Sequence, residues 1–365
     1  MLKKVIMFGN YPESEDEEIK GPSIVAYNLF KEMSKYYDVE FYSLKRGRKN
    51  CNSTEKKVHF LSSFELFRRL LYNKYDLLHV TNAIGRTYFI IKLARFFKRF
   101  KMLYTANGSA KTEAEHGMCP RPFISVLAEK GMVLSSNHVV CVSELLKNRE
   151  IEHYGIDEKK VSVIGSGIDI EEMQKESLNK KKEGDTKKSM KRILTVGTAI
   201  VKNIDGLIEE FLKINRDDVE LYIIGGENEN IREIKSKFAK NNNMSRVKFT
   251  GAISHKEVLQ YYKNGDIYVQ ASFWDAYPIA VLEALAFGLP VIVTDRVGTC
   301  SIIENGTNGL VVKHDEKGAI RKAIEKLLDS EELRRKLGTN GYELAKRQSW
   351  GKVGKEYKKI YDELI

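Results

Sequence analysis

The chain has 365 residues, of which 42% are apolar and 30% charged, and its formal net charge is +11. That length exceeds what one hydrophobic core usually serves, so two domains are expected of this ordinary soluble globular composition. No stretch approaches a membrane span, and Val5 to Phe8 behind the opening Met1-Leu2-Lys3-Lys4 are too few apolar residues for a signal peptide. Cys51, Cys119, Cys141 and Cys300 show neither CxxC pairing nor framework spacing, which points to reduced thiols and to the cytoplasm or its membrane face.

Apolar runs alternate with helical stretches along the whole chain, the pattern of parallel sheets flanked by helices. Strands are expected at 4–8, 39–43, 76–80, 102–105, 138–142 and 161–164 in the first half. In the second they are expected at 192–197, 219–224, 247–250, 267–270, 291–294 and 309–312. The polar, charged, glycine-containing run 174–191 between the halves has the composition of a linker.

After the first strand come Gly9-Asn10-Tyr11-Pro12, an acidic run from Glu13 to Glu18, and Gly21-Pro22-Ser23 before a helix. Taken alone, the glycine–proline pair reads as a turn, and the acidic run as a water-exposed loop rather than a metal-binding carboxylate pair. Residues 65–101 hold nine Lys/Arg against Glu65 and Asp76. Within that stretch, Tyr88 to Phe100 mixes aromatic residues with cations at helical spacing, the composition of a helix lying on an anionic lipid surface. A core-packed helix with a solvated basic edge has the same composition. Nucleic-acid binding is disfavoured, because no helix-turn-helix, zinc or RNA-binding signature accompanies the charge.

The segment 272–290 carries the most information. Asp275 and Glu283 stand eight positions apart, separated by Pro278 and the start of the apolar helix Ile279 to Ala286. Pro278 suits a first helical position, Gly288 a C-terminal stop, and Pro290 opens the strand Val291 to Thr294. Eight helical residues rise ~12 Å, roughly the reach from a ribose across a diphosphate to an attached sugar. Between the carboxylates lies a helix N-terminus, whose N–H groups and positive dipole end suit phosphate. A lone carboxylate in so apolar a helix needs a partner, and ribose or sugar hydroxyls would supply one. A strand–helix–strand with a structurally paired Glu is the alternative.

The segment resembles the E-x7-E signature of glycosyltransferase family 4, with Asp275 in place of the first Glu. Resemblance runs over nearly the whole chain and is strongest from 191 to 350. It implies an α/β GT-B fold: two Rossmann-like, doubly wound parallel-sheet domains facing across a cleft. The first would comprise 1–173 plus 350–365, through a closing helix that begins at Ser349-Trp350, and the second 192–349. It further implies a retaining, metal-independent transfer of a sugar from a nucleoside diphosphate, with UDP the commonest base among relatives, and no other cofactor.

Residue by residue, the resemblance assigns Glu283 to the ribose and Asp275 to the sugar. The diphosphate falls to Lys202, Gly21 and the turn Ala276-Tyr277-Pro278-Ile279. Gly225 and Ile253 would flank the nucleotide. Thr198 stands where the family has an arginine, in a loop one residue shorter, and would donate one hydroxyl bond. Asn107 replaces the histidine of a Thr-x-His motif on the acceptor side; an amide can bond a sugar hydroxyl but cannot act as general base. His116 is the nearby substitute, and His79 reads as a packed structural residue. No Ser/His/Asp, Cys/His or metal-spaced cluster is present. The basic aromatic stretch suggests a lipid-linked glycan or glycolipid as acceptor. These departures also leave open a non-catalytic GT-B subunit that binds a partner or membrane. A sugar-nucleotide epimerase, whose signature motifs are not apparent, ranks last.

Overall fold

The computed structural model describes residues 2–11, 22–45, 56–81, 85–119, 121–178 and 190–365, which form two compact units. Unit 1 is Met1–Gly167 with Trp350–Ile365, and unit 2 is Ile168–Ser349.

Unit 1 is built on strands β1 (Lys4–Phe8), β2 (Asp38–Leu44), β3 (Val58–Leu61), β4 (Leu77–Thr81), β5 (Lys101–Ala106), β6 (His138–Cys141) and β7 (Val161–Val163). All pair in parallel, in the order β3-β2-β1-β4-β5-β6-β7; Val5 lies beside Val39 on one side and Leu77 on the other. The central strands are almost unbroken apolar runs, buried on both faces as parallel strands must be. The crossovers are α1 (Pro22–Met33), α2 (Ser63–Tyr72), α3 (Arg86–Phe97), α4 (Ala110–Glu115), α5 (Pro122–Ser135) and α6 (Glu144–Tyr154). The edge strand β3 was not expected: Val58-His59-Phe60-Leu61 is too short to declare a period, and pairing with β2 decides it.

Unit 2 begins with α7 (Ile170–Leu178) and repeats the plan with β8 (Lys191–Val196), β9 (Val219–Ile224), β10 (Val247–Phe249), β11 (Ile267–Gln270), β12 (Val291–Thr294) and β13 (Leu310–Val312). The order is β10-β9-β8-β11-β12-β13, again all parallel. Its helices are α8 (Ile204–Leu212), α9 (Glu229–Phe238), α10 (His255–Asn264), α11 (Ile279–Ala286), α12 (Ala319–Asp329) and α13 (Glu331–Arg347). Ile193, Leu207, Phe211, Leu221, Val269 and Leu327 are wholly buried at the centre of its core. In both sheets the winding direction reverses at the first strand of the unit, β1 or β8. The carboxyl ends there, β1 beside β4 and β8 beside β11, are the places where open α/β sheets leave a crevice.

The division falls at Gly167, ahead of the expected boundary at 173, and 174–178 are helical rather than linker. Burial of Ile168 and Met173 and packing of α7 on α10 assign this stretch to unit 2. The closing helix α14 (Trp350–Leu364) lies in unit 1 against α1. There Tyr361 donates or accepts at His79 Nδ1 (2.6 Å), while Thr105 Oγ1 meets Nε2 (2.8 Å). His79 is thus a packed residue, held neutral by burial that lowers its pKa to about 3. No helix among the described residues is long and apolar enough to cross a membrane.

Candidate functional site

The crevice end of unit 2 is assembled from the loops after β8 and β11. Gly197 leaves β8 with φ 101°, a conformation open to glycine, and its N–H donates to Ile224 C=O (2.8 Å). A Cβ at this position would sit 2.9 Å from Lys202 Cε, so the lysine stem crosses directly over bare backbone. Asn203 then turns the loop into α8; among the described residues it is the one non-glycine with positive φ, 54°. Its amide donates to Ala271 C=O (3.1 Å), and Phe273 N–H donates to Val201 C=O (3.0 Å), which ties the two loops together.

Asp275 is fixed by its own backbone, its N–H donating to Arg296 C=O (3.1 Å) and its C=O accepting from Gly298 (2.7 Å). Lys202 Nζ stands 2.5 Å from Asp275 Oδ2, and both side chains are more than four-fifths covered. Separate roles were expected for these two residues; the structure pairs them. Thr198 is tied into the neighbouring loop. Its hydroxyl donates to Gly226 C=O (2.8 Å), and its carbonyl accepts from the Asn228 and Asn230 amides (3.0 and 3.2 Å), so the hydroxyl proton is engaged within the fold.

Gly225 and Gly251 bridge antiparallel at the ends of β9 and β10, and half-buried Ile253 leads from there into α10. Ala276 and Tyr277 run into α11, where Pro278 is the N-cap rather than the expected first helical residue, so the helix starts one position later, at Ile279. The N–H groups of Ile279 and Ala280 fall in the first turn, where a helix has no upstream acceptor. At the other end Gly288 N–H donates to Leu285 and Leu289 N–H to Ala284, a Schellman closure.

Glu283 lies on α11, 8% exposed. The hydroxyl of wholly buried Tyr262 donates to Oε2 (3.0 Å), and His255 Nε2 donates to Oε1 (2.8 Å). Burial first, and the Glu283 charge second, push the Tyr262 phenol well above its usual range. The partner expected from ribose hydroxyls is therefore already supplied by protein. Sequence reading missed His255, although Ser254 and Glu257 form a capping box that fixes it as the first residue of α10.

In unit 1, β5 runs into Asn107, whose amide atoms are buried without a hydrogen-bond partner among the described residues. The loop is clamped by Glu129, both of whose oxygens accept from Ala110 N–H (2.9 and 2.8 Å), with Tyr154 donating a further bond. Burial raises the pKa of Glu129, as it does that of Glu150 on α6. His116 is exposed at the far end of α4 from Asn107. Gly21 and the acidic run 13–18 lie outside the described residues. No group of three or more His, Cys, Asp or Glu among the described residues is arranged to hold a metal ion.

Two family models match the chain in succession, Glycosyltransferase Family 4 over residues 19–172 and Glycosyl transferases group 1 over 176–344. An uncharacterized glycosyltransferase of Methanocaldococcus jannaschii is 24% identical over 364 residues, covering 96% of this chain and 92% of its own. The Escherichia coli UDP-Gal:alpha-D-GlcNAc-diphosphoundecaprenol alpha-1,3-galactosyltransferase is 24% identical over 322 residues, or 81% and 79%. Among solved structures, sucrose-phosphate synthase from Thermosynechococcus elongatus superposes with a TM-score of 0.79 at 18% identity over 99% of each chain. The two parallel-sheet α/β units are those of the GT-B fold.

Proposed function

The chain belongs to the group 1, family 4-like glycosyltransferases, and from that premise we propose that it transfers a sugar, with retention and without a metal, from a UDP-sugar to a hydroxyl acceptor. What carries the reading is the placement of the Lys202–Asp275 pair and Glu283 on either side of the α11 N-terminus, at the switch point of the unit 2 sheet. Ribose hydroxyls would donate to Glu283 alongside or in place of His255, with Gly225 and Ile253 against the base. The diphosphate would rest on the backbone of Ala276 to Ile279 and the α11 dipole, beside Lys202. Charge growing on the leaving diphosphate is then met by fixed N–H groups and one cation. Asp275, one methylene shorter than Glu and paired to Lys202, would reach the sugar from a shifted position or through water.

As the sugar–diphosphate bond breaks, the acceptor oxygen bonds to the same face of the sugar. Its proton passes to the leaving phosphate oxygen, so Asn107 need only hydrogen-bond the acceptor, and His116 is the reserve. The E. coli relative's name places its acceptor on a diphosphoundecaprenol carrier, which supports a lipid-linked glycan here. A thermal-shift panel of UDP, GDP, ADP and CMP with EDTA present tests the donor assignment, since selective binding stabilises the folded state. UDP alone is expected to raise the Tm, and Glu283→Gln to erase the shift. No response to any nucleotide would overturn the reading in favour of a non-catalytic subunit.

A further inference from the structure

Helix α3 has two apolar sides. Thr87, Tyr88, Ile91 and Ala94 are buried, while Phe89, Leu93, Phe96 and Phe97, spaced for a single stripe on the opposite side, face solvent; Phe96 is 83% exposed. Helix α5 repeats this, with Ala128, Met132 and Val133 inward and Phe123, Ile124, Leu127 and Leu134 outward. A solvent-facing helix of a globular unit ordinarily turns polar residues that way.

Helix α3 packs between α2 and α5. Its Phe97 ring meets Phe67 of α2, and its Arg95 guanidinium donates to the Ser135 carbonyl at the end of α5. Phe64 and Tyr72 add two exposed rings on α2, so ten of the twelve large exposed hydrophobic side chains among the described residues lie on these three adjacent helices. Residues 86–101 and 121–135 hold eight Lys/Arg and one acid, Glu129, which is wholly buried. Arg86, Lys92, Arg99, Lys101, Arg121 and Lys130 are exposed.

We propose that this α2–α3–α5 face docks unit 1 on an anionic lipid bilayer. Apolar side chains would enter the headgroup boundary while the cations between them meet anionic headgroups. Charge complementarity selects this occupant. A second copy of the chain would bring like charges together, and a nucleic acid could use the aromatic rings but not Leu93, Leu127 or Leu134.

Sedimentation of the full chain with phosphatidylcholine vesicles, with and without phosphatidylglycerol, tests the proposal. Binding is expected to the mixed vesicles and to fall with added salt. The pair Phe96→Ser/Phe123→Ser, and separately Lys92→Glu/Lys130→Glu, should each reduce it about tenfold or more. All four side chains are exposed, and circular dichroism spectra matching that of the wild type are required of each variant. A wild-type protein that stays in the supernatant overturns the inference, as do variants that bind undiminished. So does a dimer in light scattering that the phenylalanine changes dissociate. The inference does not depend on the donor site: the nucleotide-induced thermal shift should persist in all these variants, and vesicle binding without any nucleotide response would keep this inference and reject the transfer reading.

Discussion

Glu283 has two duties that a single substitution would confuse. Its carboxylate is the acceptor for the hydroxyl of wholly buried Tyr262, so Glu283→Ala leaves that hydroxyl unpaired, at a cost of about 1–3 kcal/mol. Glu283→Gln keeps an acceptor of the same reach and should lie within about 1 kcal/mol of wild type in urea unfolding, while losing the charge that holds His255. Equal destabilisation by the two changes would refute this account of the pair. The spacing of Asp275 and Glu283 around Pro278 was legible in the sequence, because local helix chemistry sets it. His255 was not, since it reaches Glu283 from a different helix, and neither was the Lys202–Asp275 pair, whose members are brought together by loops on neighbouring strands.

At the scale of elements, α11 keeps its place through α13, which rests on it. Gly338 lies so close that a Cβ there would be 2.1 Å from the Gly288 carbonyl oxygen, at the Schellman turn that ends α11. Backbone on both sides leaves no flexible group to yield. Gly338→Ala is therefore expected to destabilise unit 2 by about 1–3 kcal/mol or more through overpacking, read as a lower urea midpoint. Because α11 must move to relieve the clash, its N-terminus should shift too and the nucleotide response weaken in parallel. An unchanged midpoint would show that the helices separate freely. The apolar run of α11 was plain from sequence, as were most strands, because a parallel strand buried on both faces must be almost wholly apolar. Strand β3 and the assignment of α7 were hidden, each decided by a neighbour from elsewhere in the chain.

Over the whole molecule, the two units have separate sheets and separate cores, and each holds one of the two tryptophans, Trp350 in unit 1 and Trp274 in unit 2. In a Trp274→Phe background, fluorescence therefore follows unit 1 alone. That unit buries Glu129 and Glu150 completely. Burial pushes their carboxyls up, to about 7 and about 9, with the Glu129 charge adding to the rise at Glu150. Folded unit 1 thus binds more protons than the unfolded chain above the ordinary carboxylate value of 4.5. This stability is full below that value and is lost as pH rises through 7 and 9, at about 1.4 kcal/mol per pH unit for each proton of difference. His79 acts at the other end: its depressed pKa, about 3, contributes stability that is present above 6.5 and lost as pH falls through 3. Between pH 6 and 9 the carboxylates dominate, so the urea midpoint reported by Trp350 should fall steadily. Glu150→Gln, which removes the higher of the two titrations, should flatten the upper part of that fall, and a midpoint that holds level from pH 6 to 9 in the parent would show that both carboxylates are already ionised in the folded unit.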